Sequence, residues 1–590
     1  MRVLNSILSA SLLLLGANAA AAPDLPAYSV TDLKALGIWP VVMNQKGEVV
    51  GLACCGRQSA GVQFYTSAQV RDLGLPAGGY VSFSPVAIND SGWIVGNARK
   101  PSLPGPNNEQ FSDAALYNVD GWTVIDTSSL GHPTHASGIN NAGQVIGNSE
   151  HWPYLNTTPW LYEHGKVIQL TQASDSRASD ISEGGQVVGY SGPYYSPGLM
   201  WSYRDGQWQE LKFSGMPHVN ESGDILATRP GGAGVGSTAY LLVDGTQYPF
   251  PKDGCWPPDP YVGRHDYFAV ALNERGEVAG HGMFACLYSS GTSVNLGTLG
   301  GDRSEAHSLN NRAQVAGWSS DSQGRHRPFF YQQGVMLDVA DLKGVGSALQ
   351  LGNANEVRVT INDGAYLLIT GTNTLAEPDT LEAAYLLTPI APTLTLAATP
   401  TEAPVRQPIR LTWVSENANS CAAGGGTPGD GWAGERPTSG QYTVTSSLVG
   451  EARYSMRCSA GPLAAESQAM VRYAAAPPAV RLSATPAESR VRRNVTLAWT
   501  TEGADSCVAT GGRPGDGWQG ALATSGQQQV TNIKAGVVEY GIRCAFGELS
   551  SEARVSVTFT KKSGGGGHVD PAFVLMGLAA LGIGRRRRAN

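Results

Sequence analysis

The chain has 590 residues with a net charge of −7, 15% charged residues and 74 glycines. That length is too great for one hydrophobic core, and abundant glycine with sparse charge suits short strands and turns rather than long helices. An acidic balance also disfavours DNA or RNA as a partner, because phosphate contacts need clustered Lys and Arg.

Residues 1 to 22 read as a secretory signal peptide. Arg2 supplies the positive start, Ile7 to Leu15 the apolar centre, and Ala17 to Ala22 the small-residue cleavage zone. The apolar run is too short to span a bilayer comfortably.

From residue 23 to 392 one pattern recurs: Asn, two polar residues, Gly, any residue, two aliphatics, Gly. Ala87-Ile-Asn-Asp-Ser-Gly-Trp-Ile-Val-Gly96 is its clearest copy. Copies start at Asn44, Asn89, Asn140, Ser182, Asn220, Asn273, Asn310 and Asn362, with spacings of 45, 51, 42, 38, 53, 37 and 52. Each reads as a strand, a tight turn and a second strand. The Asn closes the turn through side-chain to backbone hydrogen bonds, and the Gly three residues on takes the positive φ the loop needs. The aliphatic pair then runs inward as a buried strand. Ser182 replaces the Asn in copy four, Ala227 the closing Gly in copy five and Ala313 the turn Gly in copy seven; in copy eight the Gly comes one residue early, at Gly364.

A second hairpin alternates with the first, as in Pro159-Trp-Leu-Tyr-Glu-His-Gly-Lys-Val-Ile-Gln-Leu170 and Pro328-Phe-Phe-Tyr-Gln-Gln-Gly-Val-Met-Leu-Asp338. Two hairpins per period give four strands, the signature of a β-propeller blade. Seven or eight blades are expected. Tyr28 to Leu33 resembles a fourth strand lacking a third, and Ala383 to Leu387 a third lacking a fourth; joined in one blade, they would hide two exposed edges.

The array resembles the HAF-type extracellular repeat family of bacteria, through Ile139-Asn-Asn-Ala-Gly-Gln-Val-Ile-Gly147 and the connector Leu296-Gly-Thr-Leu-Gly-Gly301. The resemblance covers about residues 28 to 388 and implies an exported repeat protein. It supplies no activity.

Eight cysteines in a chain with a signal peptide fit an oxidising compartment. Adjacent Cys54 and Cys55 are poorly spaced to bond each other, and Cys255 with Cys286 is the expected pair within the array.

After Pro389-Ile-Ala-Pro392 two homologous modules follow at a period of 86, residues 393–475 and 478–560. Trp413, Cys421, Gly429-Asp-Gly-Trp432 and Cys458 match Trp499, Cys507, Gly515-Asp-Gly-Trp518 and Cys544. Alternating apolar residues and the second Cys 37 positions after the first fit a two-sheet sandwich stapled by one disulfide, Cys421–Cys458 and Cys507–Cys544. The modules resemble the Ig-like domains of bacterial surface proteins. Trp precedes both Cys here, so the disulfide geometry should differ from the Cys, Trp, Cys order of antibody domains.

The chain ends with a linker, residues 561–567, and a sorting segment, 568–590. Gly564, Gly565, Gly566 and Gly567 form a tether open to proteolysis, an apolar helix runs from Val569 to Gly584, and Arg585 to Arg588 hold its end on the cytoplasmic side. This resembles the GlyGly-CTERM signal, which implies a rhombosortase-type membrane protease as a partner and a surface or released product; a plain single-pass anchor is the alternative. Asp570-Pro571 departs from the simplest version. Losing Arg2 removes one positive charge and losing Asp570 with four arginines removes a net three, which takes −7 to −11.

No catalytic motif is visible: there is no Gly-x-Ser-x-Gly elbow, His-Glu-x-x-His pair or phosphate loop. His132, His135 and His151 could contribute to a metal site, but Pro133 and their spacing read as a solvated loop. No cofactor or metal is expected. Trp152, Tyr154, Tyr194, Tyr195, Trp256 and Tyr261 lie between strand motifs, where propeller loops gather on a face, and could stack on a sugar or anchor a protein. The expectation is an all-β, non-enzymatic binding or adhesion protein, exported to the cell surface or outer envelope, with an extracellular glycan or protein ligand. A structural envelope component and a secreted hydrolase with a site in the propeller are the alternatives.

Overall fold

The computed structural model describes residues 26–54, 61–66, 69–101, 112–130, 133–151, 156–171, 175–192, 198–229, 238–250, 268–376 and 380–561. Among these residues the array forms eight four-stranded antiparallel sheets. Sheets one to seven each take four consecutive strands: for example Ser82–Ile88, Ile94–Arg99, Ser112–Asn118 and Gly121–Val124 make blade two. Blade eight takes Glu356–Ile361, Leu367–Asn373 and Thr380–Ile390, and its fourth strand is Ala27–Asp32 from the other end of the array. The expected join is therefore present, with Val30 opposite Leu387 and Asp32 opposite Tyr385. The protein is an eight-bladed β-propeller followed by two immunoglobulin-like sandwiches.

The aliphatic pair explains how blades stack. Successive side chains on a strand point to opposite faces, so the two do not run into one core. Val49 and Leu368 share a cluster between blades eight and one, and Val50 and Ile94 share the next. The series continues as Val95 with Val145, Ile146 with Val187, Val188 with Ile225 and Leu226 with Val278. Ala279 with Val315 and Ala316 with Leu367 complete the circle. The first member of each pair faces the preceding blade and the second faces the next. Full burial of one such Val, Ile or Leu contributes about 2 kcal/mol.

The closing Gly has a different cause. In six blades it lies on the second strand opposite a β-bulge of the innermost strand: Gly51 pairs Pro40, Gly96 Pro85, Gly147 Ala136, Gly189 Ala178, Gly280 Ala269 and Gly317 Ala306, each at a register shift. A Cβ on Gly147 would strike the His135 carbonyl on one side and the Trp160 ring on the other. Where the closing Gly is missing the bulge is missing too: Ala227 pairs Pro217, and Ile369 pairs Val359, in unbroken register. An extra residue strengthens local twist, and only a residue without a side chain admits it here.

Each sandwich packs a three-stranded sheet on a five-stranded one. In the first, Thr393–Thr399, Ile409–Glu416 and Ser439–Val444 face Glu402–Pro404, Leu463–Ala474, Gly450–Ala460, Ser420–Gly425 and Gly434–Arg436. The disulfides Cys421–Cys458 and Cys507–Cys544 are formed. Each joins directly opposed residues on neighbouring strands of one sheet, not the two sheets to each other. The inter-sheet space is filled by Trp432, fully buried and edge-on to Trp413 at 5.6 Å. Asp430 sets that Trp in place: its carboxylate accepts the Thr427 and Trp432 N–H groups at 2.6 and 2.9 Å. Asp516 does the same for Arg513 and Trp518.

Candidate functional site: the two faces of the propeller

The Asn turns gather on one face, and their side chains join the blades. Asn44 Oδ1 accepts the Lys46 and Glu48 N–H groups at 3.1 and 2.9 Å, closing its own turn. Its Nδ2 donates to the Asn89 carbonyl of the next blade at 3.0 Å. Asn89 donates likewise to Asn140, Asn140 to Ser182, Asn220 to Asn273, Asn273 to Asn310, Asn310 to Asn362, and Asn362 back to Asn44. These side chains are buried, so every amide that is satisfied across a blade boundary ties two hairpins in a water-poor site. The turn Gly takes the expected left-handed backbone, with φ from 70 to 86° at Gly47, Gly92, Gly143, Gly185, Gly223 and Gly276. In copies seven and eight Ala313 and Ala365 take it, at 58 and 63°; the early Gly364 does not shift the turn.

Ser182 breaks the amide circle. Its hydroxyl accepts the Gln186 N–H at 3.2 Å, which closes the turn but leaves no amide to reach blade five. Other groups hold that seam. Asp180 Oδ2 accepts the Val219 N–H at 3.1 Å and lies 3.4 Å from His218 Nδ1. This carboxylate raises the His218 pKa above the ordinary histidine value.

The residue after each Asn makes a second, unbroken ring. Gln45, Asp90, Asn141, Glu183, Glu221, Glu274 and Asn311 each offer a backbone N–H to the side-chain oxygen of the corresponding residue one blade on, and the Asp363 N–H returns to Gln45 Oε1. Five of the eight are carboxylates. Burial pushes the Glu183 and Glu274 pKa values up, and the neighbouring Glu221 adds to both by repulsion. The side chains of these two positions in each turn hold the ring together. Among the described residues no group of three or more His, Cys, Asp or Glu side chains is arranged for a metal ion.

The opposite face receives the connections between second and third strands and between successive blades. Trp152, Tyr154, Tyr194, Tyr195, Trp256 and Tyr261 lie outside the described residues, as do Cys55, Cys255 and Gly564 to Gly567. The strands flanking the first four aromatics, Val145–His151 with Asn156–Glu163 and Val187–Ser191 with Leu199–Arg204, end at this face. Cys54 and Cys286 are each disulfide-bonded. His135 is not in a solvated loop: it sits on the innermost strand Thr134–Ile139, half-buried, with Nε2 3.8 Å from Glu150. Burial lowers its pKa, which Glu150 opposes. Pro133 precedes the strand by one residue and does not interrupt it.

No family model matches the chain, and no curated protein matches it in sequence. Among solved structures it is similar to the β-propeller domain of the Trilobed protease from Pyrococcus furiosus, at 9% identity over 54% of this chain and 99% of that one, TM-score 0.34. It is also similar to a putative TolB from Agrobacterium tumefaciens, at 11% identity over 38% and 88% of the two chains, TM-score 0.25. Fibronectin(III)-like modules of CbhA from Clostridium thermocellum match at 13% identity over 30% of this chain and all of that one, TM-score 0.13. The class of the protein rests on its own sheets: a closed propeller with disulfide-bonded Ig-like modules. Such disulfides persist in oxidising compartments outside the cytosol.

Proposed function

We propose that this is an exported, cell-surface-associated, non-enzymatic binding or adhesion protein that presents a propeller head on Ig-like spacers. One observation carries the reading. Two rings of hydrogen bonds tie blade to blade on the Asn-turn face, so that face acts as a rigid clasp, and recognition is assigned to the opposite face. Six aromatic residues, Trp152, Tyr154, Tyr194, Tyr195, Trp256 and Tyr261, belong to connections flanking the strands that end there. A glycan or a surface protein is the ligand class such residues suit. The HAF-type resemblance, the signal peptide and the GlyGly-CTERM-like tail agree with export, surface display and processing by a rhombosortase-type protease.

The test is a glycan and protein array screen with the mature chain, repeated with Trp152→Ala and Trp256→Ala together. Loss of at least one wild-type ligand supports the reading. Unchanged binding to every ligand removes the aromatic face from it, and no ligand at all favours a purely structural envelope role.

A further inference from the structure

On the face opposite the Asn turns, a cleft of about 460 Å³ opens between blades seven and eight. One wall is the turn after Val315–Asp321, with Gly324 and Arg325, and the start of the strand His326–Gln332, with His326 and Arg327; the other is the segment from Gln350 to Asn355 that enters the innermost strand of blade eight. The volume lies within the range of small-molecule sites.

Among the described residues its lining carries two guanidinium groups and an imidazole; each guanidinium is paired with one carboxylate, Asp321 or Asp338, and the Glu382 carboxylate lies beside Gly352. Both arginines are oriented from behind. Arg325 Nε donates to Asp321 Oδ2 and Arg327 Nε to Asp338 Oδ2, each at 2.8 Å. Each pair engages the Nε edge, and a guanidinium has four further N–H donors on its terminal nitrogens. His326 stacks on the Trp318 ring at 3.8 Å, which fixes the imidazole plane. Gln350, exposed, is anchored by its own Nε2 to the Ser347 carbonyl.

We infer that this cleft binds a carboxylate-bearing sugar unit, of the uronic-acid type, on an extracellular acidic glycan. A guanidinium fork matches a carboxylate with two parallel hydrogen bonds, and the amide and imidazole edges pair with adjacent hydroxyls. Among the described residues the apolar side chains in the lining are Leu351 and Ala354, too little to seat the side chain of a peptide ligand. This deepens the proposed function by naming a ligand class, and it uses residues distinct from the six aromatics.

The experiment measures binding of trigalacturonate and of neutral galactotriose to the mature full chain by calorimetry. The wild type is expected to prefer the acidic trimer by at least tenfold, and the double variant Arg325→Ala/Gln350→Ala, both exposed positions, to lose that preference with an unchanged melting temperature. Arg325→Lys keeps the charge but not the fork and is expected to lose most of it. Equal affinity for the two trimers, or a double variant that binds like the wild type, overturns the assignment. Whole-cell adhesion that persists in the double variant would leave the surface-binding reading standing while the cleft falls. Adhesion absent in the wild type, with trigalacturonate still bound, would do the reverse.

Discussion

Asn362 Nδ2 donates to the Asn44 carbonyl at 2.7 Å, across 318 residues of chain. The same bond joins neighbouring hairpins in every other blade pair except the fourth and fifth, so this one contact turns a linear series into a ring. At the outer edge of the same sheet, the pairing of Ala27–Asp32 with Thr380–Ile390 completes blade eight from the other end of the array.

Removing a ring amide should cost more than an ordinary surface hydrogen bond. Asn362 is buried, and its Oδ1 also accepts the Tyr366 N–H at 2.9 Å. Asn362→Ala would leave the Tyr366 N–H without its partner and the Asn44 carbonyl with only the Gly47 N–H, at about 2 kcal/mol. The converse change, Ser182→Asn, supplies the missing amide and should stabilise by about 1 kcal/mol. Urea denaturation midpoints check both; a Ser182→Asn protein less stable than the wild type would show that the fourth seam is built differently from the others.

The bulge rule separates two glycine-alanine exchanges that look alike in sequence. Gly147→Ala places a methyl against the His135 carbonyl and the Trp160 ring, and should destabilise by about 3 kcal/mol because neither neighbour can withdraw from a packed blade. Ala227→Gly, at the same repeat position in a blade without a bulge, should cost about 1 kcal/mol or less. Equal losses in thermal unfolding would disconnect the glycine from the bulge.

The seam at blades four and five should respond to pH. The Asp180 carboxylate holds the His218 pKa above its ordinary value, so the folded state binds this proton more tightly than the unfolded chain does. The resulting stability is complete below the unfolded histidine pKa, about 6.5, and is lost as pH rises through the raised folded value. The His218 side chain is half exposed, so the effect is small and screened by salt. Melting temperatures of wild type and His218→Gln should therefore differ most at acidic pH and converge above it; a gap that stays constant across that range would assign the stability to packing instead of charge.

Much of the architecture was legible because it repeats. Seven Asn positions and Ser182 announced eight hairpins, and an orphan strand at each end of the array announced the shared blade. What the departures do was not legible. Ser182 opens the amide ring, Ala227 abolishes a bulge, and Ala365 takes the left-handed turn position that Gly364 narrowly misses. None of these follows from a single repeat, since each consequence lies in a contact with a strand or blade elsewhere. His135 was misread for a related reason: Pro133 is a local loop signal, overridden by pairing with Ser149 to Gly147 across the sheet.

The chain's own pattern determined the strands, their grouping in fours, the duplicated modules and the cysteines that bond within them, because those depend on alternation, turn residues and spacing along the backbone. Only the tertiary structure decided that each aliphatic pair is divided between two interfaces and that each module's disulfide stays within one sheet. It also decided that one face carries the bonds between blades while an arginine-lined cleft forms on the other. These are relations between side chains brought together from distant hairpins, and their energy comes from burial and desolvation that exist only once the ring is shut.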